Sequence, residues 1–300
     1  HGNNKFIVVA VPVRICAFTK NFPVLLFRPC RIPEFMCRVK MLVACKVDHC
    51  SKLAKNQALA GIHFAAEKRK ILPWYSNRRM PKILIVAATK NEIAPTLKTR
   101  RIAVTSVKGL FRSENETDDV YALITGAGMV NTAFEMGKLI GSKFDLVINA
   151  GLAGSFTRFK KGDVVNITQD CFCELGAEDG EDFLSIDALE LGKQNVSPLH
   201  PFENEITSKI PKTNGITVNT VHGRDDSITS ITEKYQPHTE SMEGAAFLLA
   251  ANDFNWKCIQ LRAISNLVER RDRSAWDVEL AVKNLNDALL GLIDSVIKTP

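Results

Sequence analysis

The residues in this chain most able to do chemistry lie beside glycines. Tyr121-Ala122-Leu123-Ile124-Thr125-Gly126-Ala127-Gly128-Met129 passes from an apolar run through two glycines into a helical pattern. Glycines at such a junction let backbone N–H groups approach a ligand with no Cβ in the way. The same spacing also serves as a plain strand-to-helix connection, and the third glycine of a dinucleotide fingerprint is missing, which disfavours a nicotinamide cofactor. Asn149-Ala150-Gly151-Leu152-Ala153-Gly154-Ser155 repeats the design, so two small-residue strand ends are expected to share a pocket. Glu92 follows the first apolar run, Glu243 lies in Ser241-Met242-Glu243-Gly244-Ala245, and Asn266 ends Arg262-Ala263-Ile264-Ser265-Asn266. Taken singly, each glutamate equally fits a helix start, where the macrodipole favours a carboxylate, and Asn266 fits a turn.

These residues need an α/β frame to bring them together. Strand-like runs are expected at 82–88, 120–125, 145–149, 163–168, 216–221 and 257–264, and helices at 130–140, 243–252 and 276–297. Their alternation indicates a sheet covered on both faces, where ligands gather at the carboxyl ends of strands. For the last helix, Ser274-Ala275-Trp276-Asp277 has capping-box spacing, with the Ser274 oxygen placed to accept the Asp277 backbone N–H.

Composition narrows the class. At 45% hydrophobic and 24% charged residues the chain is neither disordered, collagenous nor a disulfide scaffold. The net charge of +6 is unevenly spread: residues 1–79 carry 15 Lys and Arg against 3 Asp and Glu, net +12, and the remainder carries 24 against 30, net −6. Residues 1–79 read as a basic extension separate from the functional domain at 80–300; a targeting presequence and a nucleic-acid-binding arm are the other readings. Phe6 to Val13 is a poor signal peptide, and no stretch reaches the roughly 18 apolar residues of a membrane span. No cysteine pair has CxxC spacing, which argues against a metal site, and the three cysteines after residue 80 suggest reduced thiols in the cytoplasm.

As a set, the Glu92 segment, Thr125-Gly126-Ala127-Gly128, Asn149 to Gly154, Ser241-Met242-Glu243 and Arg262 to Asn266 resemble the nucleoside phosphorylase and nucleosidase superfamily in order and spacing, over residues 80–300. They are most similar to its hydrolytic branch, which holds methylthioadenosine/S-adenosylhomocysteine nucleosidases and futalosine hydrolases. The resemblance implies a single domain with a central mixed β-sheet flanked by helices, no cofactor, no metal, and a homodimer acting on a small nucleoside rather than on nucleic acid or membrane. It also implies roles: Glu92 as the base that activates water, Glu243 on the ribose 2′-hydroxyl and facing the cationic transition state, Met242 on the sugar, Thr125 and Gly126 lining the pocket, and Ser265 as hydrogen-bonding support.

Asn266 stands where adenine-cleaving members carry aspartate. A carboxamide offers a donor and an acceptor at any pH, which suits a 6-oxopurine such as hypoxanthine. The segments Val221 to Ser227 and Ser265 to Trp276 also look like the futalosine hydrolase branch, whose substrate is an inosine with a carboxybenzoyl-type 5′ group and whose pathway leads to menaquinone. Arg224, Arg270, Arg271 and Arg273 are candidates for that carboxylate, and Trp276 either closes over the substrate or staples the helix start. An adenine-releasing nucleosidase is the alternative. A phosphorylase is less well matched, because Asn149 and the 89–92 segment stand where those enzymes present an arginine and a glycine-rich phosphate loop. A nucleic-acid-associated binding module, defined by its basic arm, is the competing class.

Overall fold

A computed structural model describes residues 79–298 apart from 117 and 157, so the extension expected over 1–79 lies, but for Arg79, outside the described residues. In chain order the elements are β1 (Lys82–Ala87), α1 (Ala94–Thr99), β2 (Gly109–Arg112), β3 (Asp119–Ile124), α2 (Met129–Gly137), β4 (Leu146–Ser155), β5 (Val164–Phe172), β6 (Gly176–Asp179), β7 (Asp182–Ser185), β8 (Asn195–Val196), β9 (Lys212–Thr217), α3 (Asp225–Tyr235), β10 (Thr239–Ser241), α4 (Gly244–Asp253), β11 (Cys258–Leu267) and α5 (Val278–Lys298).

Nine strands form one mixed sheet in the order β10-β9-β5-β11-β4-β1-β3-β2, with β8 added on β5 and β10 returning to pair with β4. β4 runs parallel to β1 and β11, and its last residues meet β10 antiparallel, at Gly154 with Glu240 and Ser155 with Thr239. That return closes β4, β11, β5, β9 and β10 into a ring. β6 and β7 form a separate hairpin.

Alternation along the central strands explains why both faces are covered, since successive side chains point to opposite sides. Ile83 and Ile85 of β1, Val120 and Ala122 of β3, Ile148 of β4 and Leu261 of β11 pack with Ala281, Leu285, Leu289, Leu292 and Ile293 of α5. Leu84, Val86, Leu123 and Val147 face the other way, against Met136 of α2 and Ala245 to Leu248 of α4. A mixed sheet flanked by helices is thus the architecture, as the sequence implies.

Several boundaries differ from the sequence reading, each for a tertiary reason. β4 does not stop at Asn149; it continues through the glycine run to Ser155, because β11 supplies pairing partners for Gly151, Leu152, Ala153 and Gly154. Asn266 likewise sits inside β11 rather than in a turn, just past a bulge between Ile264 and Asn266. The strand expected at 216–221 lies at Lys212–Thr217, where its polar start pairs with β5 and its end, Gly215 to Thr217, with β5 and β10. Ser274 does not cap α5. Its N–H and hydroxyl are taken by Asp272, the Asp277 N–H goes to the Ser265 carbonyl at 2.8 Å, and Asp277 itself accepts the Leu280 N–H at 3.0 Å.

One buried side chain ties the Glu92 turn to α5. Asn286, 1% exposed, accepts the Thr96 N–H and hydroxyl at 3.0 and 2.7 Å and donates to the Glu92 carbonyl at 2.9 Å. Asn286→Ala strands all three groups and is expected to lower the unfolding free energy by about 1–3 kcal/mol in a urea titration; a loss below about 0.5 kcal/mol would show that the turn does not depend on this link.

Candidate active site

Glu92 stands in the turn between β1 and α1, with its carboxyl directed inward. One oxygen accepts the Thr89 N–H at 2.8 Å and the Thr89 hydroxyl at 3.0 Å, and the other accepts the Leu152 N–H at 3.2 Å across from β4. Glu243 is the N-cap position of α4, and its carboxylate reaches not its own helix but the Gly128 N–H at the start of α2, at 2.9 Å. Gly128 adopts φ +96°, a left-handed backbone natural to glycine, which turns that N–H toward Glu243. The two carboxyls are close enough to sense one another. Burial first, and the charge of Glu243 second, push the Glu92 pKa above its ordinary value, against the lowering by the Thr89 and Leu152 hydrogen bonds.

Beneath these groups β11 carries two polar side chains inside an apolar strand. Arg262, 1% exposed, donates from Nη2 to the Asn149 carboxamide at 2.6 Å, and its Nε has no hydrogen-bond partner. A Cβ built on Gly151 would lie 3.1 Å from Arg262 Nη1 and 3.2 Å from Glu92 Oε1, so the bare glycine backbone leaves room for both side chains over β4. Gln260 donates to Asp170 at 2.8 Å. Asp170, fully buried, also accepts the Thr217 hydroxyl at 2.8 Å and the Cys171 N–H at 2.9 Å, while burial raises its pKa. A Cβ on Gly244 would come within 2.1 Å of Asp170 Oδ2, which fixes glycine where α4 starts over this pair.

Farther along β4, Gly154 faces Asn266. Together with Val221, His222, Glu240, Glu269, Arg271, Asp272 and Trp276 they line a pocket. Asn266 donates to the Leu267 carbonyl at 2.8 Å and accepts from Ser265 at 2.8 Å, so its amide plane is set, with one N–H and one lone pair left over. A second, apolar cavity of about 630 Å³ lies between α2, α4 and the β6–β7 region, lined by Met129, Val130, Phe172, Leu175, Leu191, Ala246 and Leu249, with Lys193 and Glu174 among its polar groups.

Glu92, Glu243 and Asn266 therefore reach one stretch of the sheet from the β1–α1 turn, the α4 start and β11, with Met242 and Ser265 beside them in the chain. Thr125 is fully buried, its hydroxyl turned to the Gly126 carbonyl at 2.8 Å and to Thr132 at 3.4 Å. Gly126 is covered by the Lys108 side chain, which ends on Asn131. Arg224 stands apart: it is exposed, paired with Asp226 at 3.3 Å, and outside the lining of both cavities. Of the other arginines Arg271 lines the Asn266 pocket, and Arg271 and Arg273 lie over the Trp276 ring at 5.3 and 6.0 Å. Sequence reasoning passed over Arg262, Asp170 and the His222–Glu240 pair. A lone arginine within Cys258–Leu267 was the available signal for the first; the others depend on pairing distant in sequence.

Among the described residues no group of three or more His, Cys, Asp or Glu side chains is arranged to hold a metal ion, and no helix is long and apolar enough to cross a membrane. Residues 82–298 match the family model described as the Phosphorylase superfamily. A futalosine hydrolase of Acidothermus cellulolyticus is 32% identical over 50% of this chain, an alignment spanning 64% of that protein, just under two thirds of its length. A futalosine hydrolase of Thermus thermophilus is 27% identical over 70% of this chain and 94% of its own. The solved 5′-methylthioadenosine/S-adenosylhomocysteine nucleosidase of Colwellia psychrerythraea, in complex with adenine, shares the fold with a TM-score of 0.59 at 19% identity, over 73% of this chain and 96% of that one.

The geometry fixes a titration. The Glu92 carboxyl, followed by NMR of the labelled side chain, is expected to deprotonate above 4.5, and Glu243→Gln, which removes the like charge, is expected to move that midpoint down. A midpoint at or below 4.5, or one indifferent to Glu243, would show the two carboxyls to be electrostatically separate.

Proposed function

The chain belongs to the phosphorylase superfamily, and from that premise we propose that it is a purine nucleosidase that hydrolyses futalosine, releasing hypoxanthine and dehypoxanthine futalosine on a route to menaquinone. The observation that carries the reading is the Glu92 carboxyl, held by three donors from Thr89 and Leu152 opposite Glu243. Breaking an N-glycosidic bond leaves an oxocarbenium-like sugar, so the site must deliver water to C1′ and stabilise positive charge. Glu92 takes the proton from water; its raised pKa makes it a better base than an ordinary glutamate at neutral pH. Glu243 accepts the ribose 2′-hydroxyl with its second oxygen and opposes the cationic charge. Met242 packs on the sugar, and Ser265 keeps Asn266 oriented.

Hydrolysis is preferred to phosphorolysis on electrostatic grounds. Arg262 is the buried cation that could draw a phosphate, but it is bound to Asn149 and shares the space over Gly151 with Glu92. A phosphate there would face two carboxylates, whereas water needs an acceptor. The purine is assigned to the Asn266 pocket, where the free N–H and lone pair of the carboxamide meet a 6-oxopurine. The 5′ group is assigned to the apolar cavity beside Gly128 and Met129, with Lys193 as its cation in place of Arg224. Val130, Phe134 and Leu249 are 76%, 64% and 54% exposed on α2 and α4, and a second copy of the chain covering them would form a homodimer and wall this cavity. The activity resides in residues 80–300, and the buried free thiols of Cys171, Cys173 and Cys258 suit the reducing cytoplasm.

Purified protein given futalosine, inosine or methylthioadenosine, with and without phosphate, is expected to release hypoxanthine from futalosine independently of phosphate. Adenine release with futalosine untouched would make it an adenine nucleosidase, and a requirement for phosphate a phosphorylase. Glu92→Gln is expected to lower turnover by about 10²–10⁴-fold while leaving KM largely unchanged; near-normal turnover would remove Glu92 from the base role. Because Leu267 requires a donor at 2.8 Å, Asn266→Asp is expected to bind purine only in its protonated form, losing hypoxanthine release as pH rises.

A further inference from the structure

On the proposed reading, one chemical need is left unmet. When the C1′–N9 bond breaks, its electron pair passes to the purine, which needs a proton to depart as neutral hypoxanthine. Asn266 cannot supply it, because a carboxamide N–H donates a hydrogen bond without giving up its proton.

The wall of the same pocket holds a group that can. His222 follows β9 and lines the pocket with Asn266, Gly154 and Trp276. Its Nδ1 and its backbone N–H both meet the Glu240 carboxyl, the latter at 3.0 Å. Glu240 is 4% exposed in β10, clamped between β9 and β4, so it cannot swing away. The loop after His222 is pinned as well: the Gly223 carbonyl accepts the Arg271 N–H at 3.2 Å, and a Cβ on Gly223 would lie 3.1 Å from the Arg271 side chain. His222 Nε2 has no hydrogen-bond partner among the described residues. A carboxylate fixed on Nδ1 leaves Nε2 as the working nitrogen, turned to the pocket. The other charges around the pair are Glu174, which follows β5 and acts on Glu240, and Glu269, Arg271 and Asp272 after β11.

We propose that His222, oriented by Glu240, is the general acid of this site, giving its Nε2 proton to the departing purine. The proton balance closes. Glu92 takes one proton from water, the remaining hydroxide bonds to C1′, the C1′–N9 electron pair goes to the base, and the imidazolium proton neutralises that base at an imidazole nitrogen. Neutral His222 then regains a proton from solvent as Glu92 releases its own. The pairing divides the labour of an aspartic acid in two: Asn266 recognises the oxopurine and His222 protonates it.

The test uses the full chain and separates this role from mere packing. His222→Gln keeps a polar side chain of similar size with no transferable proton. It is expected to lower kcat/KM for futalosine by about 10²–10⁴-fold and to abolish the alkaline limb of the pH profile. Cleavage of 4-nitrophenyl riboside, whose nitrophenolate leaves without a proton, is expected to stay within about threefold of wild type. Glu240→Gln, which keeps the histidine but removes its anionic partner, is expected to lower kcat/KM for futalosine while sparing the nitrophenyl riboside, and tests the pairing independently. Futalosine hydrolysis by His222→Gln within about threefold of wild type, an unchanged alkaline limb, or equal losses on both substrates would overturn the assignment. Wild-type protein that leaves futalosine untouched would overturn the proposed function itself, a result distinguishable from the failure of His222 alone.

Discussion

The site depends on a missing side chain. At Gly151 the middle of β4 presents only backbone, so that Glu92 from the turn after β1 and Arg262 from β11 both reach over it, each within 3.2 Å of where a Cβ would stand. β4 carries such a bare surface because β11 pairs with it along 147–155, while β1 holds it up to Asn149 and β10 from Gly154. The hydrogen bonds of those ladders replace the stability that side-chain packing would have given the glycine run. Between the β1 and β10 pairings, at 150–153, only β11 pairs with β4, and the Leu152 N–H is given to Glu92.

Placed over that strand, charge is distributed with little room for exchange. Two carboxyls face one another, one anchored by β4 and the β1–α1 turn, the other by the Gly128 N–H of α2. The buried guanidinium of Arg262 is already committed to Asn149. Asp170, equally buried and held by three donors, feels the charge of Arg262 and lies against the start of α4, where only glycine fits at Gly244. The arrangement suits a small neutral nucleophile and a cationic sugar better than an oxyanion. In the proposed reaction water, and not phosphate, is what such a field accepts.

How much of this was legible in the sequence follows from the range of the forces involved. Local patterns gave β1, β3, α4 and α5 within a few residues, because alternation and helical periodicity reflect burial of each element on its own. They also placed Glu243 at a helix start. They missed β2, β10 and the β6–β7 hairpin, whose few residues form strands only because partners arrive from elsewhere. Reading the Asn149–Ser155 run as a strand end was the consequential error: glycine weakens an isolated strand, yet here β11 stabilises it and extends it to the Asn266 pocket. His222 and Glu240 lie 18 positions apart and meet only because β10 returns between β9 and β4. No local periodicity encodes that closure.

The claim that an empty position on β4 organises the site is tested most directly by the steady-state kinetics of Gly151→Ala on futalosine. Gly151 has no left-handed backbone requirement, so the variant is expected to fold and to melt within a few degrees of wild type, while its single methyl crowds both the Glu92 carboxylate and Arg262 out of their places. The account predicts a fall in kcat of about 10²-fold with little change in KM, as expected when a catalytic group is displaced by a fraction of an ångström. A Gly151→Ala enzyme with wild-type kcat would contradict it.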